Sequence, residues 1–145
     1  ENQMAFELNR TLLVAKLIEG NYPNYRQVIP PDVKERITLE RETFLSAVRR
    51  VSLLASEKSN SVKLIFSKGN IDIVATTPEV GEAKESLPVM YKGREFGIAF
   101  NPEFLMAPLR NLSEEEIYLD LIDELSPGVI KIAGPFLCVL MPMRF

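Results

Sequence analysis

Phe44-Leu45-Ser46-Ala47-Val48-Arg49-Arg50 returns sixty positions later as Phe104-Leu105-Met106-Ala107-Pro108-Leu109-Arg110. Both copies keep Phe, Leu, Ala and Arg at the same relative places, with apolar residues three and four apart. That is helical spacing, and it predicts helices over roughly Glu42 to Ser56 and Pro102 to Leu112. Outside these two stretches apolar and polar residues alternate, the period of half-buried strands. One short strand precedes each helix, at Arg36–Glu40 and Glu95–Phe100. Strands follow at Val62–Phe66 and Ile71–Ala75 around the Lys68-Gly69-Asn70 turn, and at Ile117–Leu121. The last two are Val129–Ala133 and Phe136–Met141, separated by Gly134-Pro135. The unit is strand, helix and three strands, and it occurs twice between about Val33 and Phe145.

Residues 1–29 depart from this scheme. They offer two strands, Gln3–Asn9 and Thr11–Ile18, and no helix. Against the repeat they read as the tail of a third copy whose start is missing, with Pro30-Pro31 as an extended linker. The expected fold class is α+β: two βαβββ repeats with two helices on one face of antiparallel sheets, plus two strands of a preceding domain.

Placing the first helix at 100° per residue puts Phe44, Ala47, Val48, Val51, Leu54 and Ala55 on one apolar face. Arg49, Arg50, Ser46 and Leu53 fall opposite. Two readings stand side by side: solvated arginines on the outside of a sheet-packed helix, or arginines facing a polyanion. Leu53, set between them, hints at a contact. The second helix starts with Asn101 as N-cap, Pro102 in the first turn and Glu103 at the positive end of the dipole. Pro108 removes a backbone donor from its interior, which predicts a short or kinked helix.

Composition narrows the function. Hydrophobic residues at 46% and charged ones at 26% exclude a disordered chain. Lys plus Arg number 17 against 20 Asp plus Glu, a formal charge of −3 that excludes a uniformly basic binder. Charge is uneven, however. Arg41 to Lys63 holds five basic and two acidic residues, and Glu103 to Glu124 one basic and seven acidic. One mildly positive face on an acidic body is therefore possible. With no histidine and one cysteine, Cys/His zinc sites, Ser-His triads and an internal disulfide are excluded. No phosphate-cradling glycine loop, nucleotide fingerprint or metal-spaced cluster is present. Asp and Glu lie on turns and polar strand faces, so no enzyme, metal or cofactor is expected. The longest apolar run, Phe136 to Pro142, is too short for a bilayer, and the lone Cys138 fits a reducing cytosol. A cytoplasmic protein without membrane partners is expected.

Three features carry a resemblance: Gly20-Asn21-Tyr22-Pro23-Asn24-Tyr25-Arg26-Gln27-Val28-Ile29-Pro30, the echoed helices, and the ending Val139-Leu140-Met141-Pro142-Met143-Arg144-Phe145. Together they resemble the bacterial sliding-clamp family, the β subunit of DNA polymerase III, over essentially the whole chain. The resemblance implies the DNA-clamp fold, with residues 1–30 ending the middle clamp domain and 31–145 forming the third. It implies a head-to-tail homodimeric ring around duplex DNA, a processivity factor with no active site.

On that resemblance Arg49, Arg50, Lys58 and Arg110 face the DNA without reading its sequence. Leu53 and Leu54, with Glu79, Glu82 and Glu85, form the subunit junction. A pocket for short linear peptides of polymerase, clamp loader and repair proteins takes Pro23, Val28, Asn101, Phe104, Val129, Val139, Met141, Pro142, Met143 and Arg144. Without the first domain this stretch alone is expected to be monomeric. The alternative is a stand-alone β-rich interaction module that never meets DNA.

Overall fold

Alternation becomes burial. In the computed structural model, which describes residues 2–55, 60–78 and 80–144, Val62, Leu64 and Phe66 are fully buried on one side of a strand. Their neighbours Lys63, Ile65 and Ser67 are only partly covered on the other. The chain begins with a hairpin, β1 (Gln3–Leu8) and β2 (Thr11–Lys16), followed by a short 3-10 turn at Tyr25–Val28. The first unit is β3 (Glu35–Glu40), α1 (Arg41–Ser52), β4 (Val62–Ser67), β5 (Asn70–Thr77) and β6 (Gly81–Pro88). The second is β7 (Phe96–Phe100), α2 (Pro102–Asn111), β8 (Glu116–Leu121), β9 (Gly128–Lys131) and β10 (Leu137–Leu140).

The two units exchange their first strands. β3 pairs antiparallel with β8 and completes the sheet β10-β9-β8-β3, while β7 pairs with β4 and completes β6-β5-β4-β7. Neither unit can close its sheet alone, so the repeat folds as one body. Phe44, Val48 and Val51 of α1 and Leu105, Met106 and Leu109 of α2 share one core with Ile37, Leu119, Leu64 and Ile73 of the sheets. Each such side chain contributes roughly 1.5–3 kcal/mol on leaving water.

Local chemistry sets the helix ends. Glu40 closes β3 and its carboxylate accepts the amides of Glu42 at 3.0 Å and Thr43 at 2.6 Å, capping α1. Bonds from Thr43 hold that carboxyl below the usual range. α1 ends at Ser52, four residues earlier than the spacing implies. The amides of Leu53, Leu54 and Ala55 reach only three residues back, at 3.3, 3.1 and 3.0 Å, the tighter geometry of a 3-10 turn. Asn101 caps α2 as expected, accepting the Glu103 amide at 2.9 Å. α2 is short and runs through Pro108, and its far end is held by side chains: Arg41 of α1 donates to the Leu109 carbonyl at 3.1 Å, and Asn111 to that of Ala107 at 2.8 Å.

β6 escapes the alternation reading, although the repeat calls for a third strand there. It is an edge strand whose inward residues Ala83, Glu85 and Leu87 are only half-buried, with Lys84 facing out. The β1–β2 hairpin buries none of its residues, and Phe6, Leu12 and Leu13 are more than half exposed. An isolated two-stranded hairpin is marginal in water, and the described residues leave the apolar side chains of this one uncovered.

Candidate peptide groove and basic helix face

Phe104, Ala107 and Pro108 sit at i, i+3 and i+4 of α2 and therefore share one face. β10 and the residue after it run beside that face. The two enclose a groove of about 380 Å³ lined by Phe104, Ala107, Pro108, Cys138, Val139, Leu140 and Met141. Phe104 is 65% exposed and Met141 63%, so two large apolar side chains stand open to a visitor. A second hollow of about 150 Å³ adjoins it, lined by Glu124, Leu125, Met141, Pro142, Met143 and Arg144. Met141 belongs to both.

The ending is not a frayed strand. The Met143 amide donates to the Ala99 carbonyl of β7 at 2.8 Å, which ties the last residues across to the other sheet. The methionines thus hang from a fixed backbone while their unbranched thioethers remain adaptable, a combination suited to several apolar anchors. Burial pushes the Cys138 thiol above its ordinary value, so it lines the groove as a neutral apolar group.

The structure brings Phe104, Val139, Met141, Pro142, Met143 and Arg144 together around these hollows. Asn101 stands one step back, setting the start of the helix that carries Phe104. Val129 lines neither hollow. It is 3% exposed in β9, paired with Val139 of β10, and supports the wall from behind. Pro23 and Val28 line neither hollow as well. Ala107, Pro108, Cys138, Leu140, Glu124 and Leu125 were missed from sequence. Helical spacing from Phe104 was enough to find Ala107 and Pro108. Glu124 and Leu125 reach the site only through the fold.

The basic face is smaller than its arginine count. Arg49 and Arg50 are exposed in the last turn of α1, and Arg110 in the last turn of α2, where cations oppose the helix dipole favourably. Arg110 pairs with Glu103 at 3.1 Å. Arg50 donates Nε and Nη2 to the two oxygens of Glu85 at 2.5 and 2.7 Å. That pair holds Glu85 below the usual carboxylate range. Arg49 makes no ion pair among the described residues. Lys58 and Glu79 lie outside the described residues.

The sequence reading sends Arg50 to DNA and Glu85 to a neighbouring subunit, whereas in the fold they hold each other. Glu82 and Glu85 also fail to form one acidic patch. Three positions apart on a strand, they point to opposite faces of β6. The leucine pair divides too: Leu53 is 80% exposed, while Leu54 packs against the core.

The sequence pattern of the DNA polymerase III beta subunit, C-terminal domain, matches residues 26–144. The chain belongs to this family. The beta sliding clamp of Chlamydia muridarum is 38% identical over 144 residues, covering 99% of this chain and 39% of the relative. That of Caulobacter vibrioides is 33% identical, covering 98% and 39%. Among solved structures, the sliding clamp of Bartonella birtlesii bound to griselimycin superposes with a TM-score of 0.89 at 31% identity, over 100% of this chain and 40% of that one. The chain thus spans about two fifths of the length of these relatives. Its α+β architecture, antiparallel sheets with two helices, is that of the clamps.

Proposed function

We propose that the protein bearing this chain is a replication processivity clamp, in which two copies close a ring around duplex DNA and a rim groove tethers polymerase and other partners by short linear peptides. The two-part apolar groove meeting at Met141 carries this reading. A clamp needs such a landing site and no catalytic group, since a closed ring holds DNA by topology. Residues 31–145 form a complete clamp domain in this reading. Residues 1–30 close the preceding one, whose remainder covers the bare hairpin. Titration of a fluorescent peptide with leucine and phenylalanine anchors into the chain tests the groove. Saturable binding, displaced by unlabelled peptide, is the expected result, and its absence overturns the reading.

Of the three described arginines expected to face DNA, Arg49 is the one without an ion pair among the described residues, while Arg50 and Arg110 are paired with Glu85 and Glu103. Phosphate contacts release counterions and carry no sequence information, which is what a sliding ring requires. Arg49→Ala in the full-length protein is expected to flatten the plot of log affinity against log salt by about 0.9 for each contact removed. DNA titrations across a salt series measure that slope. An unchanged slope takes Arg49 off the DNA.

A further inference from the structure

Leu53 is a large apolar side chain displayed in the turn after α1, and that turn is held from two sides. At the end of β5 the buried Thr77 donates its hydroxyl to the Leu54 carbonyl. One turn back along the helix, Arg50 grips both carboxylate oxygens of Glu85 on β6. A planar guanidinium meeting a carboxylate by two parallel bonds fixes direction as well as distance. β6 is also the outer strand of its sheet. One ion pair and one hydrogen bond therefore lock an exposed leucine and a strand edge into a common frame.

Building on the clamp reading above, we propose that Arg50 is a positioning residue of the subunit junction and not a phosphate contact. Together with Glu85 it fixes the last turn of α1 against β6, so that Leu53 and the strand edge meet the neighbouring subunit as one preformed surface. Preforming the surface removes an ordering cost that association would otherwise carry. A phosphate approaching Arg50 meets the charge of Glu85 as well, so the pair attracts it weakly. Arg49, adjacent in sequence, has no such competitor among the described residues. Of Glu82 and Glu85, Glu82 is the one exposed on the other face of β6, beside Lys84, where a partner's cations can reach it.

Subunit exchange between two fluorescently labelled populations of the full-length protein tests this, alongside the salt slope of DNA binding at concentrations that keep the ring closed. Arg50→Ala and Glu85→Gln are each expected to speed exchange about fivefold. The two together should do little more than either alone, because they break one interaction. The swap Arg50→Glu with Glu85→Arg should return exchange to within about twofold of the parent. None of these variants should change the salt slope.

A slope lowered by Arg50→Ala, as by Arg49→Ala, assigns Arg50 to DNA and overturns the proposal. A lowered melting temperature with unchanged exchange makes the pair merely local, and overturns it too. Leu53→Ala separates the two levels. If it speeds exchange while Arg50→Ala does not, the positioning role alone falls. If Leu53→Ala leaves exchange unchanged, the junction itself is misplaced.

Discussion

Met141→Ala is expected to weaken binding of a leucine- and phenylalanine-anchored peptide at least about tenfold, the scale of an interface hot spot. Met141 is the side chain shared by the groove along α2 and the smaller hollow toward Leu125. Truncating it joins the two hollows into one wide trough and removes apolar contact from both anchors at once. The backbone beneath it is secured elsewhere, by Met143 bonding to Ala99, so the loss falls on the peptide and not on the fold. Isothermal titration against parent protein measures the change, with Leu53→Ala as a variant expected to leave peptide affinity untouched. A change smaller than about twofold means that the anchors lie elsewhere.

The second large effect concerns the fold. Asp120 on β8 is buried, yet it accepts Arg36 of β3 at 2.7 and 2.8 Å and Lys131 of β9 at 2.9 Å. Arg36 also lies over the Tyr118 ring, 5.4 Å from its centre. Three neighbouring strands are thus stapled on their outer face by one carboxylate. Asp120→Ala leaves two cations facing each other without their anion, at an expected cost of about 3 kcal/mol. That is the low end for a buried pair, because the Arg36 side chain is half exposed to water.

The effect carries a pH signature. Burial alone raises the Asp120 carboxyl, but the hydrogen bonds and charges of Arg36 and Lys131 outweigh it and hold the group below the usual range. A carboxyl depressed in the folded state stabilises fully above its unfolded value, near pH 4 for aspartate. That stability is lost as pH falls through the folded value. Urea unfolding of parent and variant should therefore show a gap at about pH 7 that narrows at about pH 3. An equal gap at both removes the charge from the explanation.

Much of the fold is legible in the residues because period two and period 3.6 are both written plainly. Arg36-Ile37-Thr38-Leu39-Glu40 alternates, and Phe44, Ala47, Val48 and Val51 form a helical stripe, so elements and inward faces follow directly. The exchange of β3 and β7 between units is different. Local pattern tells a strand which face to bury but not which neighbour to pair with. β6 hid for a related reason: an edge strand half-covered on one face needs no strong apolar alternation.

At the site, Phe104 and the methionine ending stood out as apolar residues at positions the family resemblance marks. Leu125 gave no such signal, because its neighbours are polar turn residues. The resemblance sends Arg50 and Glu85 to separate partners, and thirty-five positions divide them in the chain. Only the packing of α1 against β6 makes them a pair.

In the clamp proposed above, DNA is kept by enclosure, not by grip. Full-length protein loaded by a clamp loader onto nicked circular duplex, then separated from free protein by gel filtration, measures it directly. Protein is expected to stay with the circle and to leave once the DNA is cut to a linear form. Equal retention on circle and linear duplex would contradict it, since protein held by contacts alone has no reason to notice the ends.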